Sequence, residues 1–309
     1  MNTIKFAPYN DFITEQHNVE IAGFENHQIN GKDYKFYNPC NLNVFIHNKC
    51  QNDCDFCINK KNDRTDVPYN DYMEYLELAL IVLQKVHLEA TITGGEPTLD
   101  PHRMIETIRL LKKYGISERT VSTTGIGLLS KYEDKSVLQH LIENDYVHNI
   151  SVSRMSMNDD ENNKILCGKN IDNNTLKDIA WFSKVNGVQL RTSTNVLKGY
   201  VDNLDKILEF VDFQYSNEIY SCLFREVIGE HYYCITPIVD ALKKNKQFEY
   251  IKTINAKFYN IDVFLYTSKT NQQYIVKCYY TNVVDKDAIG SLSYNQGKIR
   301  IGFNGDVIC

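Results

Sequence analysis

A parallel β/α sheet, wound right-handed into an open barrel of six strand–helix units, is the fold class the sequence predicts. Three observations predict it. From Leu42 to about residue 247, β-branched and apolar runs alternate with segments whose apolar residues recur at helical spacing. The strands read as buried on both faces, as a parallel sheet requires. Each strand ends in polar, charged or glycine-rich residues, and a β/α barrel gathers such ends on one face.

The first strand is LNVFIH (Leu42–His47), followed by a cysteine-rich loop. Asn70 is suited to cap a helix carrying Met73, Leu76, Leu80 and Leu83 on one face. LEATIT (Leu88–Thr93) is the second strand. Asp100 caps the next helix, with Pro101 at its first position, apolar Met104, Ile105, Ile108 and Leu111, and Gly115 as its stop. Strand Arg119–Thr123, a helix around Val137–Glu143, strand Val147–Ser153 and a helix over Asn174–Val185 follow. Strand Val188–Val196, a helix over Asp202–Asp212, strand Glu218–Phe224 and a weaker helix after Thr236 complete the six units. From Phe248 the rhythm becomes aromatic and β-branched, through FEYIKTINAKFYNIDVFLYTS, QQYIVKCYYT and GKIRIGFNGDVIC with a turn at FNGD, which predicts a β-rich extension. The segment NGKDYKFYN predicts a short N-terminal hairpin. The expected division is 1–40, 41–247 and 248–309.

With 309 residues, 43% hydrophobic and 24% charged, the chain can bury a large core. A net charge of −5 supplies no basic field for nucleic acid, and no apolar run approaches the length of a membrane helix. The N-terminus has no signal-peptide pattern, so a cytoplasmic location is expected. Nine cysteines in such a chain favour metal ligands or buried free thiols over a disulfide framework.

Cys50, Cys54 and Cys57 stand in HNKCQNDCDFCINK as CxxxCxxC, and Gly94-Gly95-Glu96-Pro97 follows at the next strand tip. Soft thiolates suit iron–sulfur clusters, and three leave one coordination position open. On the residues alone the triplet could also be part of a zinc site, and GGEP a plain turn.

Together, with aromatic Phe56 before the last cysteine, these motifs resemble the radical S-adenosylmethionine (SAM) superfamily. The resemblance spans residues 40 to 230 well and lies nearest the molybdenum-cofactor and SPASM/twitch branch. It implies one 4Fe-4S cluster on the three cysteines, SAM on the open iron, and reductive cleavage by an external one-electron reductant to a 5′-deoxyadenosyl radical that abstracts hydrogen. It implies a flavodoxin- or ferredoxin-like electron donor. By resemblance, Phe56, Gly94, Gly95, Glu96, Pro97, Thr123, Thr124, Ser153, Arg154 and Asn195 surround the cofactor. Met155 departs from the Asp common in relatives, and Arg154 is the candidate to meet the SAM carboxylate instead. Arg225 and Glu226 are the first candidates for substrate contact, and Arg191 a second reader of an anionic group, facing either the barrel interior or the helices.

The hairpin-like GKIRIGFNGDVIC resembles the start of an auxiliary-cluster extension, but only Cys278 and Cys309 accompany it. Two thiolates do not hold a cluster in the usual manner, so a metal-free, twitch-like β extension is expected to cover the mouth, with a truncated chain as the other reading. The expected substrate is a ribosomally made peptide, although no leader-binding domain is recognisable. The alternatives are a small molecule such as a nucleotide or amino acid, and a non-catalytic iron–sulfur scaffold or sensor.

Overall fold

The computed structural model describes residues 23–61, 66–116, 118–144, 146–219, 221–227, 229–255, 259–281, 288–301 and 306–308. An N-terminal hairpin pairs β1 (Gly23–Ile29) with β2 (Lys32–Phe45) across Asn30 and Gly31, both at positive φ as a tight hairpin turn requires. β2 then runs on as the first strand of the barrel. After it come α1 (Tyr69–Val82), β3 (Leu88–Thr93), α2 (Pro101–Lys113), β4 (Arg119–Thr123), the two-residue strands β5 (Lys131–Tyr132) and β6 (Lys135–Ser136), α3 (Val137–Glu143) and β7 (Asn149–Ser153). The second half has α4 (Asp159–Ile165), α5 (Asn173–Val185), β8 (Gln189–Val196), α6 (Leu204–Ser216), β9 (Ser221–Glu226) and α7 (Thr236–Lys244). The six strands β2, β3, β4, β7, β8 and β9 pair parallel in that order, the predicted strand–helix barrel.

Local chemistry sets the helix starts. The Asp100 carboxylate accepts from the Arg103 amide at 3.0 Å with Pro101 at the first position. Ser136 and Gln139 form a reciprocal capping box, and Asn203 caps α6. Several boundaries shift from expectation, two of them for a local reason. Pro68, not Asn70, precedes α1. Glu218 takes a left-handed φ of 59° at the end of α6, so the last strand starts at Ser221 rather than Glu218. The unanticipated α4 carried its signal in the sequence: Asn158 caps it and Asp159, Asp160 and Glu161 fill its first turn.

The β-rich end is built differently from the expected cover. β10 (Phe248–Asn255), β11 (Tyr259–Thr267) and β12 (Gln273–Thr281) form an antiparallel meander whose last strand pairs parallel to β9. β13 (Ala288–Asn295) pairs parallel to β2 at the opposite edge and carries β14 (Lys298–Ile301) antiparallel. The described strands of the extension are therefore barrel wall, in one 12-stranded sheet with eight consecutive parallel strands, β13-β2-β3-β4-β7-β8-β9-β12. Sequence alone suggested a separate unit because the helices stop at residue 244, while strand pairing is nonlocal. The turn expected at 303–305 and Cys309 lie outside the described residues.

The outer faces of the strands pack under the helices in two cores. One gathers Leu42, Val44, Ile92, Val121 and Ile150, and the other Phe210, Phe224, Phe264 and Val276. Among the described residues no helix is long and apolar enough to cross a membrane.

Candidate active site

The loop after β2 is stitched to the tip of β3. The Ile46 amide donates to Thr93 O at 3.0 Å, the Gly95 amide to His47 O at 2.8 Å and the Glu96 amide to Lys49 O at 2.8 Å. This close approach explains both glycines. Gly94 has φ +138°, and a Cβ there would stand 2.3 Å from His47 O, while a Cβ on Gly95 would stand 1.8 Å from Lys49 O. The cysteine loop can enter at this angle only if both positions lack a side chain.

Glu96 locks that junction to the next tip. Its fully buried carboxylate accepts five hydrogen bonds. One oxygen receives the Thr98 amide (3.1 Å) and the hydroxyls of Thr98 (2.6 Å) and Thr123 (2.5 Å). The other receives the amide (2.6 Å) and hydroxyl (2.8 Å) of Thr124. The Thr123 hydroxyl accepts from the Gly125 amide and that of Thr124 from the Gln51 side chain, so both threonines are occupied by protein partners. Pro97 opens the short helical turn that places Thr98.

Cys50, Cys54 and Cys57 are partly accessible at the mouth. Burial first, and then the neighbouring Cys57 and Cys50, push the Cys54 thiol up to about 12. Cys54 and Phe56 pack against Met155, Ile165, Leu166, Leu197 and Val227, so the loop reaches across to the tips of β7, β8 and β9. Gly168 lets the chain after α4 dock on it, since a Cβ there would stand 2.2 Å from Asn52 Oδ1. The donor set, three soft thiols on one loop, fits an iron–sulfur cluster.

The remaining predicted residues separate. Ser153 and Asn195 sit half-buried on the inner face at the ends of β7 and β8. Arg154 is 1% exposed and its guanidinium bonds to the carbonyls of Ser156, Ile171 and Met157 and to the side chains of Asp159 and Asn173. Those bonds brace the 156–173 segment. Strand alternation splits Arg225 from Glu226. Arg225 faces inward in register with Asn195 and Tyr279, and Tyr279 lies under its guanidinium at 5.0 Å. Glu226 turns to the helix side and accepts from the Ile235 amide at 3.1 Å, whereas Arg225 stays on the inner face. Cys278 packs in the second core, where burial raises its thiol pKa.

The structure settles the facing of Arg191. Leu190 and Val196 of β8 enter the cores, and Arg191 therefore faces the lumen. Lys277, which the sequence reading passed over, faces the same space, because Val276 and Cys278 on either side of it are in the core. Its signal was the polar alternation KCY within an apolar strand.

A family model described as the Radical SAM superfamily matches residues 44–213, more than half of the chain. Among solved structures, SuiB of Streptococcus suis bound to S-adenosylmethionine is similar, at 17% identity and a TM-score of 0.50 over 67% of this chain and 44% of that one. SuiB bound to the precursor peptide SuiA aligns at 20% identity and a TM-score of 0.47 over 62% of this chain and 40% of that one. Native anSMEcpe with bound AdoMet aligns at 17% identity and a TM-score of 0.47 over 66% of this chain and 58% of that one. The chain thus spans less than half the length of SuiB, and at these identities the likeness is one of fold. No curated protein matches the sequence.

Proposed function

The chain belongs to the radical SAM superfamily, and on that premise we propose that it is a radical SAM enzyme whose substrate is a peptide. The observation that carries the chemistry is the three-cysteine loop held against the glycine tip of β3 and bridged to β7–β9. A 4Fe-4S cluster and SAM, held by this loop, would supply reductive, radical-forming cleavage of SAM, with the electron coming from an external reductant.

Cys50, Cys54 and Cys57 would hold the cluster as thiolates. Gly94 and Gly95 present backbone to the SAM amino group. Glu96 fixes the tips of β3 and β4, and Thr123 and Thr124, saturated by protein partners, act through the backbone they hold. Ser153 and Asn195 face the mouth with polar side chains, and Phe56 with its apolar neighbours keeps water from the loop's far end. An external flavodoxin- or ferredoxin-like protein delivers the electron. The peptide reading rests on the resemblance of the β-rich end to the SPASM/twitch branch. The polar lumen favours a second reading, a small anionic molecule.

Anaerobically reconstituted, reduced protein should convert SAM to methionine and 5′-deoxyadenosine, faster with its substrate, and a deuterated substrate should pass label to the deoxyadenosine. An intact, reduced cluster without SAM cleavage would point to a scaffold or sensor. Mass spectrometry of ligands that co-purify anaerobically separates a peptide from a small molecule.

A further inference from the structure

The lumen below the mouth holds positive charge that the fold leaves unmatched. Along β8, β9 and β12 the register sets inward rows. Asn195, Arg225 and Tyr279 form the row nearest the cysteine loop, and Ser193, Leu223 and Lys277 the next. Arg191 lies one further step down β8. At about 3.3 Å per residue, Arg191 begins about 13 Å below Asn195, and its long side chain can reach back up. Nε of Arg191 and Nε of Arg225 are both buried without a hydrogen-bond partner. Among the described residues no salt bridge joins Arg191, Arg225 or Lys277 to a carboxylate.

Buried guanidinium nitrogens are rarely left without acceptors, because a charge removed from water costs several kcal/mol unless it is paired. Glu89 at the base of β3 is the acidic group that acts on this cluster, and its carboxyl pKa is raised, by burial first and then by Glu118. It cannot balance the cations. Burial also lowers the Arg191 pKa, opposed by Tyr279, reinforced by Arg225 and opposed again by Glu89. Burial brings Lys277 down to about 8, helped by Arg191 and Lys252 and opposed by Glu89. These positive groups destabilise one another in the lumen, and a bound anion would relieve all of them together.

We propose that Arg191, Arg225 and Lys277 form an anion seat in the barrel lumen that receives a carboxylate or phosphate group of the substrate. The seat lies below the cysteine loop, so an anchored substrate directs the rest of its length up toward the cluster. This deepens the radical SAM reading and rests on it for the word substrate. The shared chemistry is an oxyanion, which guanidinium groups bind in bidentate fashion.

The test uses the anaerobically reconstituted protein and two probes, inorganic phosphate and acetate, with binding measured by calorimetry. At least one probe should bind in the millimolar range or tighter, and the stronger one identifies the phosphate or carboxylate class. Arg191→Gln and Lys277→Gln should each weaken that binding at least tenfold, while Lys177→Gln on the outer helix should not. Both lumen variants should keep SAM binding and should unfold at the same temperature as the parent or higher, because they remove an unmatched charge. A purely structural pairing with Glu89 would lower that temperature instead. Absence of binding for both probes, equal loss in Lys177→Gln, or a lower unfolding temperature in both lumen variants would overturn the seat. Loss of SAM binding in Arg191→Gln would reassign the site to the SAM carboxylate and overturn it as a substrate seat. If phosphate binds as described but no cluster forms on the cysteines, the seat stands and the radical SAM reading fails.

Discussion

The Glu96 cluster at the barrel mouth and the cationic cluster in the lumen treat their polar groups in opposite ways. On the β3–β4 side every oxygen of Glu96 is filled, and the threonines that fill it are filled in turn. On the β8–β9–β12 side two guanidinium nitrogens lack acceptors and a lysine is held well below its usual range. A saturated buried network holds geometry, because none of its members is free to change partner. An unsaturated one costs stability and is retained where a ligand completes it. The difference fits scaffolding by the Glu96 cluster and recognition by the proposed anion seat.

The largest expected effect tests the loop that both sides serve. Replacing Cys50, Cys54 and Cys57 together with Ala should remove the cluster, about four iron atoms per chain, along with its visible absorbance and all SAM cleavage. Iron retained in that triple variant would mean that other donors hold it. Glu96→Gln comes next. Gln offers one acceptor oxygen where Glu offers two, and its amide hydrogens would face the Thr124 amide and hydroxyl. A loss of about 2–4 kcal/mol is expected in urea unfolding, read as a lower midpoint with unchanged slope. An unchanged midpoint would deny the scaffolding role.

The saturated side was the more legible in sequence. The CxxxCxxC and GGEP motifs lie at fixed offsets from predicted strand ends, and the close approach of two backbones leaves a local trace as Gly94-Gly95. The six strand–helix units were legible for the same reason, since periodicity and capping are local. The recognition side depends on which strands become neighbours. Lys277 belongs with Arg191 only because β12 returns to pair with β9, a contact between segments about 50 residues apart in sequence that no local pattern announces. The bracing role of Arg154 was not legible either, because an arginine at a strand tip looks the same in sequence whether or not its guanidinium ties down the following loop.

A smaller effect concerns the charge of Lys277. Its folded-state pKa of about 8 lies below the roughly 10.4 of a free lysine, so the folded chain sheds this proton before the unfolded chain does. The penalty is complete below about pH 8, and stability contributed by this group rises between about 8 and 10.4. Lys277→Met should therefore gain about 1–2 kcal/mol over the parent at pH 7, and that advantage should shrink as the pH approaches 10. An advantage independent of pH would show that Lys277 binds its proton equally in the folded and unfolded chains, and so that burial does not lower its pKa.

The smallest expected effect separates two neighbours. Arg225 and Glu226 are adjacent in sequence, yet one faces the lumen and the other accepts the Ile235 amide beside the start of α7. Gln at 226 keeps a carbonyl oxygen for that amide, so Glu226→Gln should cost only about 0.5–1 kcal/mol. It should leave the binding of phosphate or acetate in the lumen as it is in the parent. Arg225→Gln should do the reverse, weakening the anion while sparing the fold, because its Nε has no protein acceptor to lose. Calorimetry and urea unfolding on the two variants, side by side, would show whether the strand's alternation divides them. If Glu226→Gln instead weakened anion binding as much as Arg225→Gln, the carboxylate would be acting inside the barrel, and the division between a filled scaffold and an open recognition face would not hold at β9.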